Sequence, residues 1–137
     1  MTYLVERLAE LRRYLDHAHK LGPRVPDSTA LDRDLSMHND VLFTLLSIAQ
    51  LVIDIAGELS SRRGDRFEDY TQAIRNLARD ERFPADMVAA LERLLGFRNV
   101  IVHEYVDLDL ERVVAALREL DSVAAFAKIV ATIERQG

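Results

Sequence analysis

The chain has 137 residues, 49% of them hydrophobic and 30% charged, with 5 Gly, 3 Pro and no Cys. That length and apolar content fit one domain over residues 1–137 with a core that needs no staples, and exclude a disordered chain. The missing Cys excludes a disulfide framework, a thiolate nucleophile and a cysteine-ligated metal, and a net charge of −5 argues against a broad duplex-binding footprint.

Few breakers among many Ala, Leu, Arg and Glu predict an all-α protein. The first helix is expected over Tyr3 to Leu21, with Leu4, Leu8, Leu11 and Leu15 on one face opposite Glu6, Arg7, Glu10 and Arg13. This charged amphipathic start lacks the unbroken apolar run of a signal peptide, so a cytoplasmic location is expected. Gly22, Pro23 and Pro26 end the helix, and Ser28 or Thr29 is placed to cap the next. The second helix is expected over about Ala30 to Ser60 and is unusually apolar between Val41 and Ala56. Thr44, Ser47, Gln50 and Asp54 interrupt that run at helical spacing and form one polar stripe. The run is too short and Asp54 too central for a membrane span, so a central bundle helix fits better. Its stripe then faces solvent, a dimer seam or a site.

A short third helix is expected from about Asp69 to Arg79, with Tyr70, Ile74, Leu77 and Ala78 as its apolar face. The stretch from Arg62 to Arg82 carries six Arg against five acids, a pattern that reads first as a solvated face. Pro84 and Asp86 suit the first turn of a fourth helix reaching about Tyr105. Asp107 or Asp109 is placed to cap a fifth, reaching about Arg135. Four or five antiparallel helices with short connections make a bundle.

Most catalytic templates fail on this sequence. It has no Gly-rich phosphate loop, no Cys/His metal spacing and no nucleophile elbow, and His17 and His19 fall on different helix faces. The segment Gly96-Phe97-Arg98-Asn99-Val100-Ile101-Val102-His103-Glu104-Tyr105 stands apart. It interleaves hydrogen-bonding heads with apolar residues, an arrangement that is costly to bury without partners. Arg98 and Tyr105 fall on nearly one face of a helix, and Asn99 and His103 share a neighbouring one. Arg98 and His103 lie about 140° apart around an ideal helix. They converge on one site only if a second copy supplies facing residues or the helix unwinds near its end. The spacing therefore predicts a homodimer. A buried polar cluster that merely pins helix packing is the bland alternative.

The pattern Arg98, polar Asn99 and His103 resembles the motif of the HEPN superfamily of small helical proteins. The fuller string GFRNVIVHEY, late in an all-helical chain of this length, is similar to the HepT-type toxins. The resemblance implies a metal-independent, cofactor-free endoribonuclease whose cleft is built by two protomers. Arg98 and His103 would be the catalytic pair, with Asn99 orienting the site. RNA would leave with a 2′,3′-cyclic phosphate and a 5′-hydroxyl. The resemblance also makes Tyr105 the target of AMP transfer from ATP by an MntA-like nucleotidyltransferase antitoxin. Two other readings remain: a non-catalytic HEPN module that partners such a nucleotidyltransferase, and a helical adaptor with no active site.

Overall fold

The computed structural model describes residues 2–136 and contains helices and turns, with no strand among the described residues. Four long helices carry the architecture: α1 (Thr2–Leu21), α3 (Leu35–Arg63), α5 (Ala85–Glu104) and α7 (Asp121–Gln136). They close into a ring in which α1 packs on α3, α3 on α5, α5 on α7 and α7 back on α1. Side-chain pairs fix the direction of the first two contacts. His17 meets Asp40 while Arg7 meets Asp54, so α1 and α3 run antiparallel. Gln50 meets Arg98, whereas His38 shares a hollow with Tyr105, so α3 and α5 do the same. Three short helices, α2 (Ser28–Arg33), α4 (Tyr70–Arg75) and α6 (Leu110–Arg118), cover the flanks.

The leucine face expected for α1 is the buried one, with Leu4, Leu8 and Leu11 in the core. α3 is the central helix: Val41, Leu45, Ile48, Val52, Ile55 and Ala56 are buried against its neighbours. It is long and apolar enough to cross a membrane by composition alone, yet these residues line the core of the bundle. Gly64 ends α3 in the left-handed region at φ 78°, and its N–H donates to the carbonyls of Ser60 and Ser61. At the far end of the ring the Phe83 and Phe126 rings pack 5.7 Å apart between centroids.

Five boundaries differ from the sequence expectation. The predicted second helix is two, because Asp34 turns extended and its carboxylate accepts from the Met37 N–H at 3.1 Å, starting α3 afresh. Asp27, rather than Ser28 or Thr29, occupies the cap position of α2, without a side-chain cap bond. The third helix tightens into a 3₁₀ turn at Asn76–Arg79 and buries Ala73, Ile74 and Leu77, whereas Tyr70 and Ala78 are exposed. Pro84 caps α5 from just outside, and the fifth segment breaks at Glu119, separating α6 from α7. Of the two aspartates placed to start it, Asp109 is the cap, accepting from Glu111 N–H at 3.0 Å.

Candidate active site

The site is built on the last two turns of α5 and the middle of α3. Phe97 and Ile101 anchor α5 into the core, and that registration turns Arg98 towards α3. The Arg98 guanidinium donates from Nη2 to Gln50 Oε1 and from Nη1 to Asn99 Oδ1, each at 3.1 Å. The Tyr70 ring, at the start of α4, lies 5.8 Å from the guanidinium carbon, at the outer edge of a cation–π contact. Gln50 in turn donates from Nε2 to Asp54 Oδ1 at 2.9 Å. Arg7 closes the line from α1, its Nε 3.8 Å from Asp54 Oδ2, with its guanidinium 4.2 Å over the Tyr3 ring.

The polar stripe of α3 therefore splits by function. Thr44 is buried and donates to Asp40, which also accepts from His17 Nε2 at 2.9 Å, a polar pin between α1 and α3. Gln50 faces the motif helix, and Asp54 meets Gln50 on its own helix and Arg7 on α1. Ser47 sits between Thr44 and Gln50, half-buried, and makes no side-chain hydrogen bond among the described residues.

His103, in the last turn of α5, is exposed, as are Asn99 and Glu104. Arg98 is thus brought to Gln50 and Asn99, whereas His103 makes no side-chain hydrogen bond or ion pair among the described residues. Glu104 then leaves helical geometry at φ −133° and ψ 32°, and Tyr105 opens a 3₁₀ turn, Tyr105–Asp107. Tyr105 thus follows a break in regular α-helix geometry. The unwinding swings it towards the α2–α3 junction, where it borders a hollow with Asp32, Leu35, His38 and Val106. Its side of the molecule is unusually apolar for a surface: Tyr105 is 67% exposed, Val106 79% and Leu35 71%.

Tyr70 and Arg7 escape sequence reasoning as members of this line, since they lie 28 and 91 positions from Arg98. The one usable signal is the polar stripe itself, which marks Gln50 and Asp54 as out of place on an apolar helix.

A family model described as "Ribonuclease HepT-like" matches residues 5–130, nearly the whole chain. The chain belongs to the HepT-like family. It is 32% identical over 96 residues to a protein of Archaeoglobus fulgidus named "Putative RNase", a match covering 69% of this chain and 73% of that one. Among solved structures, it superposes on a chain of the tri-AMPylated Shewanella oneidensis HEPN toxin in complex with MNT antitoxin. That likeness has a TM-score of 0.84 at 19% identity, covering 96% of this chain and 98% of the other. A toxin–antitoxin structure with AMP-PNP gives a TM-score of 0.82 at 18% identity, covering 95% and 98%. At these identities the likeness establishes the HEPN fold of this HepT-like chain.

Proposed function

We propose that this HepT-like protein is the toxin of a toxin–antitoxin pair, an endoribonuclease whose site is completed by a second copy of the chain and silenced by AMP transfer onto Tyr105. The observation that carries the reading is the state of Arg98. It is oriented by the amides of Gln50 and Asn99 and has no carboxylate partner among the described residues, so its charge is available to a phosphate.

His103 is the group suited to move protons, since imidazole titrates near neutrality. It takes the proton of the RNA 2′-hydroxyl as that oxygen attacks phosphorus, or delivers one to the departing 5′-oxygen. Arg98 stabilises the extra negative charge on the phosphorane-like transition state. The products are a 2′,3′-cyclic phosphate and a 5′-hydroxyl. Because Arg98 leans onto α3 while His103 points to solvent, the pair is completed most directly by facing residues of a second copy. The exposed apolar residues Leu35, Val102 and Val106 beside it offer a seam for that copy.

Tyr105 fits a modification site because it is exposed and held on a turn that a partner's active site can enter. Its hydroxyl would attack the α-phosphorus of ATP, releasing pyrophosphate. The resulting phosphodiester adds bulk and negative charge beside the motif, opposing RNA phosphate. A non-catalytic HEPN module partnering a nucleotidyltransferase is the second reading. The guanidinium of Arg98, held by neutral amides within the same motif as His103, favours the enzyme.

The test is cleavage of RNA in excess chelator by wild type, Arg98→Ala and His103→Ala, with end-group analysis. Cleavage by wild type alone, leaving cyclic phosphate ends, is expected, with losses of about 10²–10⁴-fold in the variants. Equal cleavage by all three would reject the site. Intact mass after incubation with a cognate nucleotidyltransferase and ATP should show added AMP on wild type and none on Tyr105→Phe.

A further inference from the structure

The contact between α3 and the motif helix has a direction. Asp54 accepts from the Gln50 amide nitrogen, and this fixes which end of the amide faces α5. Oε1 is thereby presented to Arg98, where an amide turned the other way would oppose an N–H to an N–H. Arg7 balances the Asp54 carboxylate from the opposite side, at 3.8 Å. The single carboxylate of this line is thus separated from Arg98 by one neutral amide. Hydrogen bonding reaches the guanidinium, but a contact ion pair does not. The other N–H groups of the Arg98 fork carry no partner among the described residues.

From this the geometry points to Gln50 as a positioning residue for Arg98: its amide, oriented by Asp54 and Arg7, holds the guanidinium in place for the scissile phosphate while keeping a carboxylate off it. The proposal rests on the ribonuclease reading above. Direct pairing of Arg98 with a carboxylate would occupy its fork and offset its charge, weakening its hold on a transition-state anion. An apolar residue at position 50 would leave the side chain to wander, and an error of about 1 Å in a catalytic group costs about 10²-fold in rate. A neutral acceptor with a fixed orientation avoids both faults.

Three variants separate position from charge. Gln50→Met keeps the length and removes the acceptor. Gln50→Glu puts a carboxylate against Arg98 and opposes it to Asp54. The double variant Gln50→Glu with Asp54→Asn reverses the hydrogen bond between positions 50 and 54, restoring the line while leaving the carboxylate on Arg98. Each is measured for RNA cleavage (kcat and KM), for thermal unfolding, and for rotation of the Arg98 guanidinium by nitrogen-detected NMR.

For Gln50→Met, faster guanidinium rotation and a kcat loss of about 10²-fold with KM within about threefold are expected. For the double variant, a melting temperature and guanidinium order near wild type are expected, with kcat still down by at least about tenfold. Unchanged kcat in Gln50→Met, against an active wild type and an inactive Arg98→Ala, would overturn the proposal. So would kcat that recovers together with melting temperature in the double variant, since that is the behaviour of a purely structural contact. A wild type that cleaves no RNA rejects the ribonuclease reading and the positioning role with it. Slow Arg98 rotation that speeds up in Gln50→Met would then leave only the hydrogen-bond geometry standing.

Discussion

Two sets of arginines on this molecule are held in opposite ways. Between Arg62 and Arg82 five of the six guanidinium groups pair with carboxylates: Arg62 with Glu58 and Glu134, Arg63 with Asp65 and Asp80, Arg75 with Glu92, Arg79 with Asp65, and Arg82 with Asp80, while Arg66 makes no such pair among the described residues. Arg98 is held by two amides and an aromatic ring. The first arrangement uses the charge to tie α3 to α7, α4 to α5, and the end of α3 to the turn at Arg79 and Asp80. The second holds the side chain still and leaves its charge available. The sequence reads the first region, the densest in cations, as a solvated face, and the ion pairs offset most of its positive charge. A neutral acceptor orients an arginine without offsetting its charge, whereas a carboxylate does both.

Substitutions can break this contrast, and the largest effect is expected at Arg98. Arg98→Lys keeps the charge but loses the planar fork that reaches Gln50 and Asn99 together, so RNA cleavage should fall at least about 10²-fold with little change in melting temperature. Retained activity would mean that charge alone suffices. Arg79→Met removes an equally well-formed hydrogen bond to Asp65. It should cost at most about 1 kcal/mol in denaturant unfolding and leave cleavage unchanged, since surface pairs contribute little. Lost cleavage there would show that the paired cluster also serves the substrate.

Gly96 sharpens the same contrast from the side of the backbone. It lies exposed inside α5, where a Cβ would meet nothing within 4 Å in its own chain. Gly96→Ala should therefore raise stability by about 0.5–1 kcal/mol if only the isolated protomer matters. Closure of a second copy or of RNA onto this face predicts the raised melting temperature together with weaker dimerisation or lower cleavage. A more stable protein with undiminished activity would place the partner elsewhere.

The smallest effect is electrostatic. The side-chain hydrogen bond from Arg82 holds the Asp80 carboxyl below the usual carboxylate range. The unfolded chain then takes up its proton at higher pH than the folded one. The contribution of Asp80 is fully present above the ordinary carboxylate range and is lost as pH falls through the depressed value. Acid unfolding of Asp80→Asn should accordingly be shallower than that of wild type, with activity near neutrality unchanged. Parallel acid profiles would remove Asp80 from the balance.

The helical class and the long helices were legible in the sequence because apolar periodicity and Gly/Pro punctuation act locally. The breaks at Asp34 and Glu119 were not, because neither carries a Gly or Pro and both are set by where the chain must turn onto the core. Arg98, Asn99, His103 and Tyr105 stand out as a local string, and Gln50 and Asp54 as polar residues on an apolar helix. That Gln50 meets Arg98 is visible only once α3 and α5 pack. The departure from helical geometry at Glu104, just before Tyr105, has no counterpart in ideal helical spacing.

The central claim is that Arg98 of one copy works with His103 of another. It is tested by mixing two inactive proteins, Arg98→Ala and His103→Ala, denaturing and refolding them together, and measuring RNA cleavage of the mixed dimers. A shared site predicts that the mixture regains activity that neither parent shows, because mixed dimers carry one intact Arg98 facing one intact His103. Mixed dimers that form but remain as inactive as their parents would contradict it.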